Sequence, residues 1–139
     1  MKLYLDSDVL LDLLMDRAPF ADDIAQVITI SRASNVQLCA SPITITSINY
    51  IIGKIENQSK ARSQVKKLLQ LVAIENVGQT EISSASNSIF NDFEDAVQNF
   101  CATNAGHEII ITRNTKDYKA SELAVMTPSE YLAKHMSEG

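Results

Sequence analysis

Apolar residues along this chain fall into two alternating patterns. Short runs at 2–5 (KLYL), 36–40 (VQLCA), 72–77 (VAIENV), 108–112 (EIIIT) and 123–126 (LAVM) have strand length and read as buried strands. The β-branched EIIIT run has the composition of a strand covered on both faces. Between these runs the spacing turns helical. Val9, Leu10, Leu13 and Leu14 give 8–15 one apolar face, and Arg17-Ala18-Pro19 ends it. Ile24, Val27, Ile28 and Ile30 do the same for 20–33.

Punctuation residues place the remaining helices. Ser41-Pro42 supplies an N-cap and a first-turn proline, so 43–55 predicts a helix although ITITSINYIIGKI is rich in β-branched residues. Residues 60–72 predict an amphipathic helix with Val65, Leu68, Leu69 and Val72 inward and the basic residues outward. Residues 80–89 predict a weak, Ser-rich helix. Asn91 opens N-D-F-E, a capping-box pattern for a helix that runs to Ala105 and stops at Gly106. Phe93, Val97, Phe100 and Asn104 mark its expected inner stripe, with Cys101 also inward. Thr127-Pro128-Ser129-Glu130 is a second capping box, opening a terminal helix.

Strands alternating with helices imply a three-layer α/β/α domain with a mostly parallel central sheet. The 139 residues suffice for one core, so 1–139 reads as a single domain. In such sheets ligands bind beyond the carboxyl ends of the strands, where the strand order reverses.

Composition narrows the chemistry. No apolar run approaches the roughly 20 residues of a membrane span, and acids interrupt the apolar stretch of MKLYLDSDVL, so no membrane association and a cytoplasmic location are expected. Cys39 and Cys101 stand apart, without a C-x-x-C. With two histidines and no H-E-x-x-H, zinc hydrolysis lacks its ligands, and His107 after Gly106 reads as an imidazole beside a helix end. Four glycines form no phosphate-cradling motif, and there is no G-x-S-x-G. The net charge of -5 argues against a surface that grips nucleic acid by charge alone. Basic residues concentrate in 54–67, where Lys54, Lys60, Arg62, Lys66 and Lys67 face only Glu56. Acid therefore dominates elsewhere.

Much of that acid falls next to strand ends. Asp6 and Asp8 follow the first strand, Asp92, Glu94 and Asp95 open the helix before the 108–112 strand, and Asn114 and Asp117 follow that strand. If the first and 108–112 strands are neighbours, these groups meet at one end of the sheet. Packed carboxylates raise each other's pKa. A hard divalent cation such as Mg²⁺ or Mn²⁺ relieves the repulsion and suits phosphodiester hydrolysis. Each acid also has an ordinary structural use: Asp6 in an Asx turn, Asp8 as a cap, Asp92, Glu94 and Asp95 at a helix start, and Asp117 paired with Lys116 or Lys119. The joint arrangement over three segments favours a site.

These same segments resemble the PIN domain, the fold of VapC-type toxin ribonucleases. KLYLDSDVLLDLL is similar to a strand, D-T-N-V-L, helix opening, with Asp6 in the place of the first metal-binding Asp and Asp8 where Asn is usual. DFEDAVQ at 92–98 resembles the central motif, with Asp95 in the metal-ligand place. ITRNTKDY and MTPSEYL resemble the T-R-N-x-K-D-F and T-P-x-E-F-L segments, with Asp117 as the later acid. One departure stands out. SPITITSINY carries Ser47 where the pattern S-x-I-T-x-x-E has Glu, and Asn49 is the nearest polar alternative on its own helix.

The resemblance implies a Mg²⁺- or Mn²⁺-dependent endoribonuclease, the toxin of a toxin–antitoxin pair. Asp6, Asp95 and Asp117 would be the catalytic metal holders, with Asp8 and Asp92 as auxiliary ligands. Thr112, Arg113 and Asn114 would contact substrate, and Lys54 and Lys60 would line an RNA track. The expected partners are RNA, an antitoxin and a second copy of the chain through helices 8–15 or 43–55. The Ser47 departure motivates the other reading, a weak or inactive module that binds RNA or a protein. A phosphoacceptor receiver also keeps acids at strand ends, but EIIITRN places Arg113 where that class needs lysine.

Overall fold

The structure is a computed structural model and describes residues 1–138. Five strands, β1 (Lys2–Leu5), β2 (Gln37–Ala40), β3 (Ala73–Ile74), β4 (Ile109–Ile111) and β5 (Ala124–Met126), form one sheet in the order β3-β2-β1-β4-β5. Every neighbouring pair is parallel. The chain builds outward from β1 through β2 to β3, then returns to the other side of β1. The order therefore reverses between β1 and β4, where Leu5 is level with Ile111 and the Asp6 N–H donates to the Ile111 carbonyl at 3.0 Å.

Helices cover both faces. The helices are α1 (Ser7–Leu14), α2 (Phe20–Ala33), α3 (Pro42–Ile55), α4 (Gln58–Leu68), α5 (Gln79–Ser86), α6 (Phe93–Asn104) and α7 (Pro128–Glu138), with a 3-10 turn at Thr115–Tyr118. Strand alternation divides the core. Leu3, Leu5, Ile109 and Ile111 face one large apolar cluster with Val9, Leu10, Ile24, Val27, Ile48, Ile52 and Leu68. Tyr4 and Ile110 point the other way, onto Cys101, Ala102 and Tyr118. Both cysteines are free and buried. This is the expected three-layer arrangement, and the sheet is wholly parallel. Among the described residues no helix is long and apolar enough to cross a membrane.

Local chemistry explains the boundaries. Ser41 Oγ accepts from the Thr44 N–H at 3.2 Å with Pro42 in the first turn, so α3 forms despite its β-branched residues. The Thr127–Glu130 capping box closes both ways, at 2.9 and 3.0 Å. Gly106 takes φ +81° just after α6, a conformation that favours glycine.

Three expectations need correction. The cap of α6 is Asp92, not Asn91: Asp92 Oδ1 accepts from the Asp95 N–H at 2.9 Å. Its buried face is Ala96, Val97, Gln98, Asn99, Cys101 and Ala102, while Phe93 is exposed. Polar Gln98 and Asn99 belong to the interior here, so apolar spacing alone put the stripe out of phase. The helix read over 60–72 stops at Leu68, leaving Leu69 exposed and only Ala73–Ile74 as strand.

Ser41 is fully buried and fixes the start of α3. Ser41→Ala is expected to lower stability by about 1–2 kcal/mol, the usual loss of a side-chain cap. Urea unfolding, read as a shift of midpoint at constant slope, checks it.

Candidate active site

The site is built around Asp6, the first residue after β1 and the N-cap of α1. It is buried, and its oxygens are held by donors from four chain segments. Oδ1 accepts from the Ser7 N–H at 2.6 Å and from Gln98 Nε2 at 3.1 Å. Oδ2 accepts from Thr112 Oγ1 at 2.8 Å and Tyr118 OH at 3.2 Å. Gln98 is itself fixed, since its Oε1 accepts from Thr44 Oγ1 at 2.8 Å and Tyr4 OH at 3.2 Å. An amide offered two hydroxyl donors must turn its NH₂ group toward Asp6.

Asp8 lies two residues further on, inside α1. Its Oδ2 accepts from the Arg113 N–H at 3.1 Å, from Asn114 Nδ2 at 3.2 Å and from Thr112 Oγ1 at 3.2 Å. Thr112 has one hydroxyl proton and two carboxylates in reach, so it can satisfy only one at a time. Asp8 Oδ1 is buried with no hydrogen-bond partner among the described residues. Burial, then the charge of Asp6, pushes Asp8 up to about 6, against the pull of the Arg113 N–H and Thr112 hydroxyl.

Asp95 completes the centre from the first turn of α6. Burial raises its pKa, and the charges of Asp6, Asp92, Asp117 and Glu94 raise it further, to about 7. These acids, from three separated segments, therefore share one electrostatic neighbourhood. Asp6, Asp95 and Asp117, with Asp8 and Asp92 beside them, come together as the sequence suggested. Glu94, read as an acid at a helix start, also contributes. Its Oε1 accepts from Ser47 Oγ at 3.2 Å, so the position on α3 that lacks Glu faces a carboxylate from α6. Asn49, the other polar residue there, has its Oδ1 buried without a hydrogen-bond partner among the described residues.

The expected substrate contacts divide. Thr112 is fully buried and orients Asp6, and Asn114 is exposed beside Asp8. Arg113 turns away: Nε and Nη2 donate to Asp12 at 2.6 and 3.2 Å, and the guanidinium lies 4.1 Å from the Phe20 ring centre. Asp12 holds the Arg113 pKa above its usual value. Lys54 lies over the Tyr50 ring, and Lys60 is exposed on α4. Among the described residues neither lysine makes an ion pair or side-chain hydrogen bond with the acids. Gln98, Tyr118, Thr44 and Asp12 were missed by sequence reasoning. All four lie inside the motif segments, Asp12 in KLYLDSDVLLDLL, Thr44 in SPITITSINY, Gln98 in DFEDAVQ and Tyr118 in ITRNTKDY, and that position was the one signal each carried.

The donor set fits a hard cation: oxygen ligands only, carboxylates that repel one another, and one buried carboxylate oxygen left without a donor. Cys39, Glu75 and His107 are the one group among the described residues that brings three ligand-type atoms within 4.8 Å of one another, and it shares no residue with the acids, whose oxygens stand further apart. Lys2 Nζ, 3.1 Å from Glu75, already supplies its positive charge. His107 is buried there at 2.7 Å from Glu75, and burial lowers its pKa, which corrects its reading as an imidazole serving a helix end.

A parallel sheet with carboxylates gathered at its switch point is the architecture of an α/β protein that binds its ligand beyond the carboxyl ends of the strands. A PIN domain family profile matches residues 2–116, and the chain belongs to the PIN domain family. It is similar to the protein named ribonuclease VapC1 of Aquifex aeolicus, 27% identical over 135 residues, 94% of this chain and 92% of that one. Its fold is also that of DNA-bound VapBC from Salmonella typhimurium, with TM-score 0.72, 12% identity, and 92% of this chain and 98% of that one covered. A toxin–antitoxin complex from Klebsiella pneumoniae gives TM-score 0.68 at 24% identity, covering 91% and 97%.

The raised carboxyl pKa values make stability depend on pH and cation. A carboxyl whose folded pKa lies above its unfolded value stabilises the fold when protonated and loses that contribution as pH rises through the folded pKa. Without divalent ions, Tm is expected to fall between about pH 4 and pH 7 on account of Asp95 and Asp8. Mn²⁺ is expected to restore it at pH 8. Asp95→Asn should flatten the pH slope and abolish most of the Mn²⁺ gain, as read by thermal melts in EDTA and in Mn²⁺.

Proposed function

We propose that this protein is a metal-dependent endoribonuclease that hydrolyses RNA phosphodiester bonds as the toxin of a toxin–antitoxin pair. The observation that carries this reading is the meeting of Asp6, Asp8 and Asp95 with Asp92, Glu94 and Asp117 at the switch point, where burial and the charges of the other acids raise the pKa of Asp95, and burial and the charge of Asp6 raise that of Asp8. Membership of the PIN family and similarity to a protein named a ribonuclease support the substrate class. The toxin–antitoxin complexes among the similar folds support an antitoxin partner.

On this reading Asp6, Asp95 and Asp117 would hold Mg²⁺ or Mn²⁺, with Asp8 and Asp92 as further oxygen donors. A bound ion supplies an acidified water and a counter-charge for phosphate. Ser7, Gln98, Thr112 and Tyr118 fix the orientation of Asp6. Because the pKa values of Asp8 and Asp95 are raised, to about 6 and about 7, a bound cation would favour their ionised forms, and cation binding would be linked to proton release at and below neutral pH. Asn114, exposed beside Asp8, is placed to reach a phosphate oxygen. The Ser47–Glu94 contact keeps a carboxylate near the place left by the missing acid, which favours an active enzyme over a module that has lost catalysis. Tyr50 and Ile55, apolar and exposed on α3, offer a surface for a second copy of the chain or for the antitoxin.

Purified, partner-free protein is expected to cleave a mixed RNA pool with Mg²⁺ or Mn²⁺ and not with EDTA. Asp6→Asn and Asp95→Asn should each lower the rate by about a hundredfold or more, beyond the usual cost of losing a group that only supports a metal ligand. Metal-independent cleavage, or cleavage that survives both substitutions, would overturn the assignment. Light scattering of the free protein is expected to give twice the 15.3 kDa chain mass.

A further inference from the structure

Away from the acid centre, Cys39, Glu75 and His107 each bring a ligand-type atom to within 4.8 Å of the other two. They come from three separate segments, so no spacing in the sequence marks them. The backbone fixes all three. Cys39 lies in β2, level with Tyr4 of β1 and Ala73 of β3. Glu75 follows β3, and its N–H donates to the Ala40 carbonyl at 2.8 Å. His107 follows Gly106, and its N–H donates to the Ala102 carbonyl at 3.0 Å. Its ring packs edge-on against Tyr4, with 5.7 Å between ring centres.

Hydrogen bonding leaves much of this chemistry unused. The Cys39 thiol is free and fully buried, and makes no hydrogen bond among the described residues. The His107 ring is fully buried too, with Nε2 2.7 Å from Glu75 and Nδ1 without a partner among the described residues. Burial lowers the His107 pKa, which favours the neutral ring with a lone pair to give. Thiol sulfur, imidazole nitrogen and one carboxylate oxygen suit a borderline-soft ion such as Zn²⁺ and suit Mg²⁺ poorly. The acid centre, with oxygen donors alone, has the opposite preference.

The positive charge at Glu75 belongs to Lys2, whose ammonium also donates to the Ala105 carbonyl at 2.8 Å. The Lys2 side chain is 34% exposed, and a lysine stem can carry its charge out to water. We propose that Cys39, Glu75 and His107 form a site for one Zn²⁺-class ion, which takes the place of the Lys2 ammonium as that group swings out to solvent. The charges balance. Before exchange, Lys2 offsets Glu75, and the thiol and ring are neutral. Afterwards the two charges of the ion offset Glu75 and the Cys39 thiolate, and the thiol proton passes to solvent. Burial, then the charge of Glu75, pushes the Cys39 thiol up to about 11, so at neutral pH binding must release that proton. Three protein ligands leave a fourth position to water. The site is independent of the nuclease reading, since Lys2 and His107 stand at the amino ends of β1 and β4 and the acids follow the carboxyl ends.

The test uses the full chain, stripped of metal by a chelator, with Co²⁺ as a coloured stand-in for Zn²⁺. Excess Mg²⁺ keeps the acid centre occupied. Cobalt held by a thiolate gives a strong near-ultraviolet charge-transfer band that oxygen ligands do not give. Co²⁺ is expected to produce that band, Zn²⁺ to abolish it by competition, and binding to release about one proton. Zn²⁺ should also raise Tm. Cys39→Ala should lack the band, whereas Cys101→Ala and Asp95→Asn should keep it. Glu75→Gln should weaken Zn²⁺ binding by about tenfold or more, and Lys2→Met should tighten it by about tenfold, the size of effect that groups at and beside metal ligands commonly have. Thermal melts check that each variant folds.

A wild-type protein that gives no band would overturn the site, and so would a band that survives Cys39→Ala. Unchanged Zn²⁺ affinity in Lys2→Met would overturn the exchange. If Cys39→Ala does not fold, Glu75→Gln decides: weakened Zn²⁺ binding supports the site, and unchanged binding overturns it. If the band appears as expected but no metal supports RNA cleavage, the nuclease reading falls and the zinc site stands.

Discussion

The carboxylate of Asp6 is the interaction on which the arrangement turns. A buried carboxylate is costly unless hydrogen bonds replace its water. Here the replacements come from α1, α6, the end of β4 and the turn after it. Thr112 lies 106 residues away in sequence and reaches Asp6 only because β4 returns beside β1. Gln98 reaches it only because α6 packs with Ala96, Val97 and Asn99 turned inward as well. The strand order, the rotation of α6 and the position of the 3-10 turn are thus recorded in the contacts of one side chain.

Around that satisfied group the fold keeps others under tension. Asp8 retains a buried oxygen without a donor among the described residues, and Asp95 is raised to about 7 by burial and its acidic neighbours. The arginine nearest the cluster could have relieved this. Arg113 gives only its backbone N–H to Asp8, while its guanidinium is held by buried Asp12 and lies over Phe20. An arginine turned into the cluster would neutralise the carboxylates and occupy the space of a cation. Asp12 therefore protects the negative character of the site from a position outside it. The arrangement costs stability at neutral pH, a cost common at sites that keep like charges together for function.

Much of this was legible in the sequence because it depends on local rules. Five apolar runs gave five strands, the Ser41-Pro42 and Thr127–Glu130 signals marked helix starts, and acids after strands pointed to the switch point. What escaped notice were polar side chains whose burial depends on the whole topology. Gln98 reads as a surface residue, and its interior position shifted the true face of α6 away from the Phe93–Val97–Phe100 stripe. Asp12 reads as the polar side of an amphipathic helix until Arg113 arrives from another strand. Leu69 shows the opposite error: it continues an apolar rhythm after the helix has ended and stands exposed.

Ser47 shows why a motif position and a chemical function separate. By pattern alone, α3 lacks its acid there and the site loses a charge. In three dimensions the first turn of α6 stands opposite, and the Ser47 hydroxyl donates to Glu94. A longer acid at 47 would meet Glu94 as a like charge in a neighbourhood that already raises Asp95. A short hydroxyl instead gives Glu94 a donor. The serine and the glutamate are therefore one unit across two helices. The charge of the site is set by which side chains converge in space, and the helix from which each one comes matters less than where it ends.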